Sequence, residues 1–208
     1  MRYAWPARLV GVGMALYLRL VARTCRVVGP ATRDQVVLAF WHECNMAAFV
    51  TARKLRGDLP HASFSTQGFR GTVVTTMLER SGTPVRIFEL PPEGDRAAGR
   101  AFAIRMARLA EEGYSLIITP DGPFGPAHVA KPGALIVARE SGLPVLPWAL
   151  TVRPEIRLTG RWDRQYLPLP FCRIRLRAAP LLKIGPRQPI KPRMAELQAA
   201  LDAMTAIG

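Results

Sequence analysis

The sequence is short of acid, of paired cysteines, of aromatics and of long apolar runs, and each shortage excludes something. Fifteen Asp and Glu stand against 29 Lys and Arg, giving a formal net charge of +14 and a pI near 11.1. Such a surface is attracted to anionic lipid or nucleic acid. Aromatics make up 8% of the chain, few for stacking bases. The arginines are spread along its whole length and no recognition motif is present, which argues against nucleic acid as partner. The three cysteines, Cys25, Cys44 and Cys172, have no C-x-x-C spacing and leave one over from any disulfide. This excludes a disulfide scaffold and a zinc ribbon and points to a reducing compartment. Walker A and G-x-S-x-G are absent, and Gly11-Val12-Gly13 is not completed into G-x-G-x-x-G, which removes the common nucleotide and serine-hydrolase signatures.

The longest apolar stretch, Leu9 to Leu18, is half of the roughly 20 residues a helix needs to cross a bilayer. Arg19, Arg23 and Arg26 follow it rather than a small-residue cleavage site, a poor fit to a signal peptide. On a helix, Leu9, Met14, Leu16, Leu20 and Val21 form a broad apolar side with arginines at its flanks. Residues 1–30 are therefore expected to form an amphipathic helix. It either lies in a membrane interface or packs on its own domain.

Residues 31–208 are expected to form one α/β domain, since 208 residues with 49% apolar content suffice for a single full core. A buried-strand run at Val36–Trp41, a short strand at His61–Ser65 and strands at Pro84–Leu90, Tyr114–Thr119 and Pro144–Val152 alternate with helical stretches. Those stretches are Cys44–Leu55, Gly71–Arg80, Asp95–Glu112, a helix through Glu140, and Met194–Ala206. Cys172–Ala178 alternates as an antiparallel or edge strand. The alternation predicts a mostly parallel, mixed sheet with helices on both faces. Chemistry in such sheets gathers where strands end at their carboxyl side, here after Trp41, Leu90 and Thr119.

His42 follows the first of these strands and opens a helix, whose N-terminus favours the neutral imidazole a general base requires. The plain alternative is a helix-capping histidine. His61 and His128 read as a strand-edge and a loop residue, and Cys44, two positions along a helix from His42, points away from it. Arg96, after the Asp95 cap, is placed to fork onto a phosphate with the free amides of its helix. The run Thr119-Pro120-Asp121-Gly122-Pro123-Phe124-Gly125-Pro126 puts three Pro and two Gly in eight residues, a rigid turn with a carboxylate at its tip and Lys131 before the next helix.

Phe40-Trp41-His42, the Thr119–Pro126 loop, Lys131-Pro132-Gly133-Ala134 and Leu143-Pro144-Val145-Leu146-Pro147 resemble the lysophospholipid acyltransferase-like superfamily. The nearest branch is a bacterial one formerly labelled a domain of unknown function, which Trp162-Asp163-Arg164 and Leu167-Pro168-Leu169-Pro170-Phe171 also resemble. The resemblance covers about residues 35 to 185. It implies a glycerolipid acyltransferase-like fold and acyl transfer from acyl-CoA or acyl carrier protein to a lipid hydroxyl, at the cytoplasmic face of the inner membrane. No metal or cofactor is implied, and the acyl donor is a substrate.

Carried over by position, His42 is the general base. Asp95 and Arg96 bind the acceptor's phosphate. Asp121 and Gly122 occupy the third block's Glu-Gly, and Lys131 and Gly133 complete the substrate-binding set. Three positions depart from the pattern: Ala47 stands where the superfamily has the acid that orients the histidine, Phe124 where it has Arg, and Gln67 where an Asp is expected. Loss of the orienting acid removes support for tautomer and imidazolium. The nearest branch itself generally lacks that acid. Glu43 and Asp121 are the nearest candidates to replace it, and amides of the Gly122–Gly125 turn are candidates for an oxyanion site. Ala47 and Phe124 also leave open the alternative of a non-catalytic lipid-binding protein on the same fold.

Overall fold

A computed structural model describes residues 4–90 and 96–206. The expected single-domain α/β fold, with a mostly parallel sheet and an N-terminal helix, is what it contains. Seven strands lie in the order β1-β7-β6-β2-β5-β3-β4: β1 Arg26–Val28, β2 Val37–Ala39, β3 His61–Ser65, β4 Val85–Glu89, β5 Ser115–Ile118, β6 Val145–Arg157 and β7 Tyr166–Ala178. Only the β6–β7 pair is antiparallel. The helices are α1 Ala4–Thr24, α2 Asn45–Arg56, α3 Gly68–Ser81, α4 Arg96–Glu111, α5 Gly133–Ser141 and α6 Ile190–Thr205.

The continuous apolar run at 36–41 is explained by its central place. Val36, Leu38 and Phe40 enter the core on one face of the sheet, and Val37, Ala39 and Trp41 enter the core on the other. A strand covered on both sides has no solvent face to alternate against. β6 continues from Trp148 to Arg157 beyond its last partner on β2, Ala39. This longer ladder with β7 carries the 158–165 turn out past the carboxyl ends of the parallel strands.

Both readings of the N-terminal helix concern α1, on different faces. Ala7, Gly11, Ala15, Leu18 and Ala22 are buried. At Gly11 a Cβ would stand 2.7 Å from the Thr76 side chain and 2.8 Å from the Val73 carbonyl, so α3 approaches too closely for any larger residue. The opposite side exposes Trp5, Leu9, Val12, Leu16 and Leu20, at helical spacing. Among the described residues no helix is long and apolar enough to cross a membrane.

His61, expected at a strand edge, lies instead inside the sheet, since β3 is paired on both sides, and it is fully buried. The neighbouring Arg56 is buried too; its guanidinium donates to the Asp34 carbonyl at 2.7 Å, the Ser115 hydroxyl at 2.8 Å and the His61 ring at 3.4 Å. Burial, and secondarily the Arg56 charge, push the His61 pKa down to about 4.

Candidate active site

β2 ends and His42 begins a short 3₁₀ turn, His42–Cys44, that leads into α2. Two loops from distant parts of the chain meet over it. The 119–131 loop comes from the carboxyl end of β5, and the 158–165 turn from the tip of the β6–β7 hairpin.

The imidazole is held by the hairpin. His42 Nδ1 lies 2.7 Å from Asp163 Oδ2, and the Asp163 side chain is fully buried while that of His42 is 18% exposed. Arg161 grips the same carboxylate with both arms, Nε to Oδ1 at 2.8 Å and Nη2 to Oδ2 at 2.7 Å. The Gln165 amide adds a second donor to Oδ1 at 3.3 Å, the fourth for the carboxylate. Burial alone would raise the Asp163 pKa. Hydrogen bonds from His42 and Arg161, with the Arg161 charge, outweigh it and hold the carboxyl well below the usual carboxylate range. An ionised Asp163 accepts the Nδ1 proton, so Nε2 keeps its lone pair for accepting another.

Asp121 and Glu43, the expected replacements for the missing acid, do not reach the ring. Asp121 is buried, and its two oxygens accept the backbone amides of His42 at 2.9 Å and His128 at 3.1 Å. It fixes the position of His42 through the main chain and ties the loop ends together. Burial raises its pKa, with the two amides opposing. Glu43 turns away, to His128 Nε2 at 3.2 Å and Arg157 at 3.3 Å. Its hydrogen bond raises the His128 pKa against the effect of burial, and the His128 ring stacks on Trp41 with centroids 5.3 Å apart.

Glycine at 122 has a steric cause. A Cβ there would stand 2.8 Å from His42 Cδ2 and 2.7 Å from the Thr119 hydroxyl, so only a bare backbone fits against the imidazole. Gly125, at φ +74°, lies under Trp162, whose ring a Cβ would meet at 2.6 Å. The Trp162 ring also lies 5.2 Å from that of His42. The two loops thus clamp the histidine between a glycine and a tryptophan. The turn's amides are largely committed, contrary to the oxyanion expectation. Gly122 N–H binds Thr119 O at 3.2 Å and Gly125 N–H binds Asp121 O at 3.1 Å, and proline at 123 has no N–H, leaving Phe124.

Lys131 joins the loop base through its amide to Pro120 O at 2.9 Å. Gly133 opens α5 with open space where a Cβ would be, so nothing around it demands glycine. Phe124 is 58% exposed, an apolar side chain at the turn beside the site. Asp95 lies outside the described residues. Arg96 is the first residue of α4. Among the described residues, no group of three His, Cys, Asp or Glu is arranged to hold a metal. The three cysteines are buried and unpaired; burial pushes Cys44 up to about 12, against a hydrogen bond from Tyr166, which makes it a poor nucleophile.

Sequence reasoning did not assign Asp163 or Arg161 to the site. The signal was present in the Trp162-Asp163-Arg164 triplet, but only the length of the β6–β7 ladder brings it to His42.

No family model matches the chain. A protein of Rickettsia prowazekii (strain Madrid E), named uncharacterized protein RP090, is 27% identical over 143 residues. That match takes in 68% of this chain, and the chain spans about three-fifths (61%) of that relative's length.

Proposed function

We propose that this protein is a membrane-associated acyltransferase that moves a fatty acyl group from acyl-CoA or acyl carrier protein to the hydroxyl of a lysophospholipid or related lipid. The observation that carries this reading is the His42–Asp163 contact at 2.7 Å, backed by the Arg161 fork. A merely capping histidine has no need of a buried, ionised carboxylate on its ring. The non-catalytic alternative rests on Ala47 and Phe124, and a carboxylate at the imidazole answers the first of them.

In this reading His42 Nε2 takes the acceptor's hydroxyl proton as the oxygen attacks the thioester carbonyl carbon. Asp163 keeps Nδ1 protonated and stabilises the imidazolium. The tetrahedral intermediate then expels the thiolate, which receives the proton from His42, giving ester and free thiol. Lys131 and Arg96 are assigned to the substrate's anionic groups. Phe124 and Trp162 supply an apolar wall on the acyl side.

In this reading the protein sits on the cytoplasmic face of an inner membrane, and the exposed apolar stripe of α1 supports the membrane contact. Its five large apolar side chains would dip into the interface, and Arg8, Arg19 and Arg23 would meet anionic headgroups. Tyr17 bonds the Pro168 carbonyl at 2.9 Å and Thr24 accepts the Phe171 amide at 3.1 Å. α1 therefore runs in the same direction as β7, with its N-terminal end towards the sheet edge where His42 lies. The stripe and the site mouth would then meet the same bilayer. The test is product formation. Purified protein is given labelled acyl-CoA or acyl carrier protein with a panel of lysolipids, and the lipids are identified by mass spectrometry. A new acyl ester with at least one pair is expected, and no product with any pair would count against the reading.

A further inference from the structure

The open face of the β1–β7–β6 end of the sheet carries an unusual arrangement of charge. Arg26 on β1 pairs in register with Arg173 on β7, and Arg173 pairs with Arg153 on β6. Directly paired residues point to the same side of a sheet, so three arginines stand in a row across three strands. Arg175 and Arg177 follow on the same side, two and four residues along β7. Arg153 has Glu155 at 3.5 Å, and Arg177 donates to the Met204 carbonyl at 3.0 Å, at the end of α6. Among the described residues, no ion pair is made by Arg26, Arg173 or Arg175. Like charges set directly opposite destabilise a sheet, so the fold itself gains nothing from this row.

Phe171, two residues before Arg173 on β7, is 80% exposed and has φ at +64°, a left-handed conformation that a bulky residue adopts only at a cost. An exposed aromatic beside arginines is the composition of protein-interface cores rather than of plain solvated strands. A bilayer is a poorer fit. The residues alternating with the arginines, Cys172, Ile174 and Leu176, pack with Leu18, Val21, Ala22 and Cys25 in one core. α1 and its outward stripe therefore lie on the opposite side of the sheet, and one membrane cannot meet both.

We infer that the Arg26–Arg173–Arg153–Arg175 face, with Phe171, is the docking surface for an acidic carrier protein that brings the acyl group as a thioester. This rests on the acyl-transfer reading above. Two of the three strands that bear the patch, β6 and β7, also hold Asp163 at their hairpin tip, so a carrier docked there has its flexible arm beside the site.

The test is calorimetric binding of a purified bacterial acyl carrier protein to the wild type and to the Arg173→Glu/Arg175→Glu double variant, at low and high salt. Flotation with anionic vesicles is run in parallel, and circular dichroism checks the fold. Expected are wild-type binding that weakens with salt, about tenfold or greater loss in the variant, an intermediate loss for Arg173→Gln/Arg175→Gln, and vesicle binding retained throughout. Absence of wild-type binding, or equal binding by the variants, overturns the inference. Loss of vesicle binding in the variant without loss of carrier binding overturns it in favour of a membrane face. Binding is read without turnover. A protein that transfers from acyl-CoA but ignores the carrier sinks the docking surface alone; one that binds the carrier but transfers nothing sinks the acyltransferase reading alone.

Discussion

Replacing Asp163 by Asn changes only which atoms can donate, and the surroundings of the side chain dictate the result. At wild type, Oδ1 accepts from Arg161 Nε and the Gln165 amide, and Oδ2 accepts from Arg161 Nη2 and His42 Nδ1. Arginine and amide N–H groups can only donate, so an Asn oxygen placed at the Oδ1 position satisfies two of the four. The amide nitrogen then occupies the Oδ2 position, opposes Arg161 Nη2 and faces His42 Nδ1. His42 must accept there, which moves its proton to Nε2 and leaves no lone pair for the acceptor hydroxyl. Such a tautomer inversion costs about 10⁴-fold in rate with geometry nearly kept, equal to roughly 5 kcal/mol of transition-state stabilisation. The assay is initial-rate transfer of a labelled acyl group to the best lysolipid, with lipid affinity measured separately. A kcat fall of about that size with substrate binding little changed is expected. A variant within about tenfold of wild type would refute the role given to Asp163.

Gly122→Ala should push a methyl into the His42 ring and the Thr119 hydroxyl, and overpacking of this kind costs about 1–3 kcal/mol of stability; thermal unfolding and transfer rate should both fall, and an unchanged rate would refute the clamp on the imidazole. Stability should decline on acidification. The His61 pKa is about 4 when folded against 6.5 as its ordinary value, so the unfolded chain takes up a proton that the folded one does not between these values. That removes up to about 3 kcal/mol as pH falls from 6.5 towards 4. The depressed Asp163 carboxyl adds a further loss below about pH 4. Urea unfolding at pH 7 and 4.5 measures the first loss, and a His61→Asn variant should show a flatter profile. Leu9→Ser/Leu16→Ser, on the exposed stripe of α1, should leave the fold intact and weaken flotation with anionic vesicles by about tenfold or more; undiminished flotation would remove α1 as the membrane contact.

The strands and helices were legible wherever one face or both faces of an element had to be buried over several residues. β3 falls at His61–Ser65, where a short strand was expected, and α2, α3 and α5 lie within a few residues of their expected ends. β1 was missed because three residues following a helix carry no period. β6 and β7 are longer than expected because their outer halves, with Arg153, Pro154, Pro168 and Pro170, are polar or proline-bearing and are held by each other rather than by a core. That extension matters most for the site. His42 and the Asp121 loop were legible because both end buried parallel strands, and the structure does join them through the His42 amide. Asp163 was not, because it lies 121 residues from His42 in sequence and only the reach of a hairpin brings it there. Glu43 and Asp121 were the nearest acids to suggest, with no spacing behind them, and the 3₁₀ turn directs Glu43 towards His128 while burial commits Asp121 to two amides.

The central claim is that His42 is the base of an acyl transfer, and it is tested most directly by comparing wild type with His42→Ala. The donor and acceptor should be those with which the wild type gives most product, under identical lipid and protein concentrations. The account predicts steady formation of acylated lipid by the wild type and none above background by the variant, with lipid binding retained in both. Equal transfer by the two proteins would contradict it.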